Sequence, residues 1–284
     1  RGIESEHGVA GVLLVRNKNQ YRVIFNDGYV LTMTLLGEVP EFTVQRYFMT
    51  RHCAAVVATD VNPRALSLAS VTARLNDLDV DLRRGSLYEP VAGERFDLIA
   101  TNPPFVVSPG GRHVYRDSGF TGDEVSRRVV VGGARHLADG GVLQALVNWV
   151  HVRGETWRER AAAWIADTGC DGWAIQREVM DPAAYVELWL RDSGEVGPGY
   201  RDRYDAWLDW FERQGIEGIG FGWVMLHAGG HTQPEVRVED WPHAVEQPLG
   251  PTVSAYFRRI DALREVPDLR DARLQVADDV VQEL

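Results

Sequence analysis

From Ala54 onward the chain alternates short apolar runs with longer stretches of helical periodicity, and that alternation confines it to the α/β folds. Ala54-Ala55-Val56-Val57-Ala58 is an apolar run ending at Thr59-Asp60 and predicts a buried strand. Asn62-Pro63 then opens a helix, with Asn62 as N-cap and Pro63 in the first turn, and Leu66, Ala69, Ala73 and Leu75 fall near helical spacing. Asp79–Leu82 and Phe96–Ala100 predict two further strands. Val125–Leu137 predicts a helix stopped by Asp139-Gly140-Gly141, and Val142–Val150 a fourth strand. Thr156–Asp167 reads as helix and Trp173–Glu178 as strand. Tyr204, Trp207, Leu208 and Phe211 share one face of an amphipathic helix over Arg201–Gln214, and Phe221–His227 is a last strand. The expected architecture is a mostly parallel, twisted sheet with helices on both faces. Right-handed crossovers then bring the strand C-terminal ends, and the ligand, to one edge.

Composition narrows the function classes. The 284 residues, 45% hydrophobic and 25% charged, can bury a sizeable core. No apolar run approaches the ~20 residues of a membrane span, so no membrane partner is expected. Arg1–His7 is polar and lacks the basic-then-apolar order of a signal peptide. Cys53 and Cys170 lie in separate segments, which argues against a disulfide framework or a cysteine-based zinc site. The expected location is the cytoplasm. A net charge of −11 disfavours phosphate backbones as partners unless a local basic patch exists.

Composition also divides the chain. Lys18 is the only lysine, and it stands with Asn17, Asn19 and Asn26 in a first segment. From Arg51 the sequence turns rich in Ala, Arg, Asp, Gly and Val. The expected organisation is an atypical N-terminal segment over residues 1–50, a core over 51–228 and a C-terminal extension over 229–284. The extension carries few strand signals, and Thr252–Arg264 is its one predicted helix.

Two points on the predicted ligand edge carry chemistry. Asp60 ends a strand, where a carboxylate, acceptor-only, can take two ribose hydroxyl donors. Its plainer reading is a helix-entry acid beside Asn62. Asn102-Pro103-Pro104-Phe105 follows directly on Phe96–Ala100 and Thr101. Two prolines stiffen this loop and leave carbonyls with no neighbouring N–H to pair with. An Asn side-chain oxygen beside a stiff carbonyl makes two acceptors that fit a planar –NH2 group, and Phe105 can stack on it. Its plainer reading is a strand-exit turn.

Elsewhere, His227 and His231 flank a glycine-containing stretch and no metal site is expected. His113 and the Gly110–Gly119 stretch are candidates for a substrate contact and a lid, or a plain mobile loop. Trp164, Trp207, Trp210 and Trp223 are expected in the core, and Arg127-Arg128 on a solvated helix face.

Ile99-Ala100-Thr101-Asn102-Pro103-Pro104-Phe105 resembles the signature of class I S-adenosylmethionine-dependent methyltransferases acting on planar nitrogens. The likeness is to the small-methyltransferase group that includes release-factor glutamine methyltransferases. Val57–Pro63 is similar to that family's second strand, and Arg84-Gly85-Ser86-Leu87-Tyr88-Glu89-Pro90 to its third-strand exit. Leu137–Gly141 resembles its turn before the fifth strand. The resemblance implies a Rossmann-like fold and S-adenosylmethionine as cofactor. It implies cofactor contacts from Asp60, Val61, Asn62, Ser86, Leu87 and Asn102, and catalysis at Asn102, Pro103, Pro104 and Phe105. It implies a protein glutamine amide as acceptor, with an RNA or DNA base amine as the alternative.

The family's glycine-rich turn after its first strand is absent. The corresponding window, Leu35–Gln45, has one glycine, a proline and a phenylalanine, with Tyr29–Leu36 as candidate first strand and Val44–Thr50 as its helix. Three explanations compete: a different cofactor loop, a non-catalytic scaffold, or an N-terminal segment that is not the native partner of the core. The family also usually carries Asp where Ser86 stands.

Overall fold

A computed structural model describes residues 12–16, 55–75, 77–109, 121–192, 197–245, 249–266, 268 and 270. Its strands are β1 (Val12–Arg16), β2 (Ala55–Asp60), β3 (Asp81–Arg84), β4 (Phe96–Thr101), β5 (Leu137–Val152), β6 (Asp171–Met180), β7 (Ile216–His227) and β8 (Val236–Asp240). Its helices are α1 (Pro63–Leu75), α2 (Glu124–Ala134), α3 (Trp157–Ala166), α4 (Pro182–Asp192), α5 (Tyr200–Gln214) and α6 (Gly250–Glu265). The strands form one sheet in the order β3-β2-β1-β4-β5-β7-β6-β8. Six strands run one way, and β1 and β7 run against them. The expected α/β class is therefore present, but the sheet is mixed rather than mostly parallel: β1 and β7 each run against both neighbours, which makes four of the seven strand pairings antiparallel.

Strand alternation sorts the core into two faces. Leu143, Ala145, Val147 and Trp149 of β5 join Val125, Val129 and Val130 of α2 and Ala161, Trp164 and Ile165 of α3 on one side. On the other, Val150, Ile219 and Phe221 pack under Tyr185, Val186 and Phe211 of α4 and α5. Farther along that face, Trp173, Ile175, Trp223 and Met225 lie under Val253 and Phe257 of α6. Trp164, Trp207, Trp210 and Trp223 all pack into these clusters, as the sequence predicts. No helix among the described residues is long and apolar enough to cross a membrane.

Several expectations change. Asp139-Gly140-Gly141 does not stop a helix. The helix α2 ends at Ala134, and the glycines lie inside β5, where the Gly140 N–H donates to the Ala228 carbonyl at 2.8 Å. A Cβ on Gly141 would meet the Ala138 and Phe96 carbonyl oxygens at 2.8 Å, so close strand approach needs the glycine. The helix α4 was not predicted, although Asp181-Pro182 marks its start. The Asp181 carboxylate accepts from the Ala183 and Ala184 N–H groups at 3.0 Å each, and Pro182 occupies the first helical position. Strand β8 was also unforeseen; it pairs parallel to β6 at the sheet edge. The place between β2 and β4 belongs to Val12–Arg16 rather than Tyr29–Leu36, and its strand runs antiparallel to both neighbours. Tyr29–Leu36, Val44–Thr50, Leu35–Gln45, Cys53 and the Gly110–Gly119 stretch with His113 lie outside the described residues.

Candidate active site

The C-terminal ends of β2, β3 and β4 share one edge and bring the sequence-predicted residues together. Asp60 ends β2 and is buried. Its Oδ1 accepts the Asn62 N–H at 2.7 Å, and Asn62 Oδ1 accepts the Arg64 N–H at 2.9 Å, so both side chains start α1. Val61 is buried beside them. The plainer reading of Asp60, helix entry, is thus satisfied by one carboxylate oxygen.

The exit of β3 is tied to the exit of β2. The Gly85 N–H donates to the Asp60 carbonyl at 3.1 Å, and Thr59 Oγ1 donates to the Leu87 carbonyl at 2.8 Å. Leu87 adopts a φ of +46°, a left-handed conformation that costs a non-glycine residue ~1–2 kcal/mol. It is held there by the Thr59 bond and by burial of its side chain. Gly85, with a φ of +155°, lies so close to Pro90 that a Cβ would meet its Cγ at 2.4 Å. The Ser86 N–H donates to Glu89 Oε2 at 3.2 Å.

Asn102 leaves β4 next to the buried Thr101. Its Oδ1 is buried and has no hydrogen-bond partner among the described residues. Pro103 is buried, Pro104 half-buried, and Phe105 is half-buried against the apolar cluster under α2. One side of Phe105 is therefore engaged by the core.

Beyond the end of β4, strand β5 continues with N–H groups that have lost their neighbour. Side chains at the start of α2 take them: Asn148 N–H donates to Ser126 Oγ at 3.3 Å and Val150 N–H to Asp123 Oδ2 at 3.0 Å. Asp123 also accepts from Arg160 at 2.7 and 3.0 Å. The hydrogen bonds to Asp123 hold the Arg160 guanidinium above its ordinary pKa against the effect of burial. An open cavity of about 660 Å³ lies here, lined in part by Thr121, Asp123, Arg128, Arg160, Trp210 and Gln214. Arg127 and Arg128 pair with Glu124, so neither is a bare surface charge.

The sequence reading missed the residues that hold the loop after Phe105. The Val107 N–H donates to Tyr185 Oη at 2.8 Å, and its carbonyl accepts from Trp207 Nε1 at 3.2 Å. Their spacing along the chain carried no signal.

At the opposite edge, the ligand atoms of Asp171, His231 and Asp261 lie within 4.8 Å of one another. Both Asp171 oxygens already accept from Arg264, at 2.7 and 2.8 Å, and that ion pair fastens α6 to the start of β6. His227 is held below its ordinary pKa by burial. The buried Cys170 thiol is pushed up by its surroundings.

Residues 47–156 match the family described as methyltransferase small domain. A ribosomal protein uL3 glutamine methyltransferase from Bradyrhizobium diazoefficiens is 30% identical over 132 residues, 42% of this chain and 41% of that protein. A release factor glutamine methyltransferase from Deinococcus radiodurans is 39% identical over 100 residues, 32% of this chain and 36% of the relative. A ribosomal RNA small subunit methyltransferase C from Erwinia tasmaniensis is 31% identical over 90 residues, 32% of this chain and 23% of the relative. In each case the matched stretch is less than half of the relative's length.

Proposed function

We propose that this chain, whose residues 47–156 match the methyltransferase small domain family, transfers a methyl group from S-adenosylmethionine to a planar nitrogen. The favoured acceptor is the side-chain amide of a protein glutamine. The observation that carries the reading is Asn102 Oδ1, a buried amide oxygen without a partner among the described residues, at the exit of β4. A buried acceptor left unpaired costs ~1–3 kcal/mol, which a ligand donor recovers.

The residues suit a nucleoside-bearing cofactor. Asp60 is a buried carboxylate at a strand exit, tied by backbone to the Ser86–Leu87 turn, and Asn102 lies at the exit of β4 on the same edge. Asp60 would hold the ribose hydroxyls, with Val61 and Asn62 beside it. Ser86 and Leu87 would flank the adenine. S-adenosylmethionine, when bound, supplies an electrophilic methyl group. Asn102 Oδ1 and the Pro103 carbonyl would accept the two N–H bonds of the acceptor amide. Those bonds push electron density onto a nitrogen whose lone pair is otherwise delocalised, and they aim it. The protein's part is positioning and electrostatics, with no strong base required.

The experiment is transfer of labelled methyl from S-adenosylmethionine to purified release factor, to ribosomal protein uL3 and to small-subunit ribosomal RNA. Label on a glutamine of either protein supports the reading, and label on no acceptor overturns it. Label on RNA alone, with binding that weakens steeply as salt rises, favours the base-amine alternative suggested by the ribosomal RNA relative. The missing glycine-rich turn keeps the non-catalytic scaffold as the other alternative; a folded chain that binds no cofactor would bear that out.

A further inference from the structure

Two prolines follow Asn102, so residues 103 and 104 offer no N–H by which the protein can grip the loop. The grip comes later, at Val107. Both backbone polar groups of this fully buried residue are taken by aromatic side chains from two helices: its N–H by Tyr185 Oη of α4, its carbonyl by Trp207 Nε1 of α5. Tyr185 is itself completely buried, edge-on to Trp189, Trp207 and Phe211. Its hydroxyl also meets Nδ2 of Asn148 on β5, at 3.5 Å. Asn148 is fully buried and its Oδ1 has no partner among the described residues. Turning the amide over would only exchange which of its two polar atoms goes unpaired. An apolar side chain of similar size would fill that position at lower cost. Asn148 is therefore a poor choice for packing but a good one for orienting the Tyr185 hydroxyl.

We propose that Tyr185, oriented by Asn148, is a positioning residue for methyl transfer, holding the Asn102–Phe105 loop in register through the backbone of Val107. The inference rests on the function proposed above. In-line displacement tolerates little error: a misplacement of about 1 Å costs on the order of 100-fold in rate. A loop held at one end by β4 and at the other by Val107 keeps Asn102 Oδ1 and the Pro103 carbonyl at a constant separation and angle. The side chains that do the holding act on Asn102 and Pro103 through the backbone of Val107.

The test uses the full chain and whichever of the three acceptors it methylates. Tyr185→Phe keeps the ring and removes the hydroxyl. Expected are a roughly tenfold or larger fall in kcat, little change in the acceptor KM or in S-adenosylmethionine affinity, and faster amide hydrogen exchange at Val107. Asn148→Leu is expected to melt at or above the wild-type temperature while kcat falls in the same way, a pairing that a merely structural residue does not produce. Unchanged kcat in both variants overturns the proposal, as does unchanged exchange at Val107 or an equal loss of kcat and cofactor affinity. A wild-type chain that binds the cofactor and methylates nothing overturns the functional reading, and this inference with it.

Discussion

Asn102 and Asp60 divide the work of the proposed site, and substitution separates them. Asn102→Ala is expected to lower turnover by at least tenfold while S-adenosylmethionine affinity stays nearly constant, because the lost oxygen meets the acceptor. Steady-state kinetics beside calorimetric titration check this, and equal loss of both would remove the role assigned to Asn102. Asp60→Ala is expected to weaken cofactor binding by ~1–3 kcal/mol, the cost of leaving buried hydroxyl donors unpaired. The same change removes the acceptor of the Asn62 N–H at the start of α1. A thermal melt alongside the titration tells the two losses apart. Both residues were legible in the sequence because each stands where an apolar run ends in turn chemistry, and a strand exit is a local event. Tyr185 and Asn148 were not legible. They lie 78 and 37 residues from their respective partners, Val107 and Tyr185, and no periodicity links positions so far apart.

At the level of elements, α6 docks through the apolar contacts of Val253 and Phe257 and through an ion pair between Arg264 and the buried Asp171. Burial alone pushes the Asp171 carboxyl up, but the hydrogen bonds from Arg264 and the Glu235 N–H outweigh it and hold it below the ordinary carboxylate value. Arg264→Ala removes the main counter-charge of that carboxylate and is expected to cost about 1–3 kcal/mol, read from denaturant unfolding. The pH dependence follows from the depressed value. The folded state binds this proton less readily than the unfolded one, so the contribution is full above the unfolded carboxylate pKa. It is lost as pH falls through the lower, folded value. Acid unfolding of wild type should therefore carry a component that Arg264→Ala lacks, and identical slopes would mean the pair does not couple to folding. The sequence signals for α4 were present but weak: Asp181-Pro182 is a helix start, with Tyr185, Val186 and Leu190 on the buried face. For β8, Val236 and Val238 alternate as an edge strand should, yet five residues are too few to stand out.

For the whole molecule, the strand between β2 and β4 sets the character of the ligand edge. Val12–Arg16 pairs with both, Val12 lying opposite Thr59 on one side and Thr101 on the other. Its N-terminal end therefore meets the ligand edge, where a parallel strand would present its C-terminal end. Leu14→Pro removes a backbone donor from this central position and is expected to cost about 1–3 kcal/mol, the cost of a buried backbone acceptor left unpaired, read as a lowered melting temperature. A melt indistinguishable from wild type would show that the sheet does not depend on this strand. The sequence reading passes over the apolar run Val12–Val15 in favour of Tyr29–Leu36 as the first strand, since four residues are too few to stand out. Its direction was not legible either, because an apolar run reads the same for either pairing.

The alternation of strands and helices, the turn chemistry at Asp60 and Asn102, and the two prolines that stiffen the loop are short-range properties, set by residues within a turn or two of each other. They were enough for the α/β class and for the edge on which to look. Strand order, the reversal of β1, the left-handed Leu87 and the grip of two helices on Val107 depend on groups 28 to 100 residues apart. Those arrangements are selected by which backbone groups would otherwise be buried unpaired, a condition that exists only once the chain has packed.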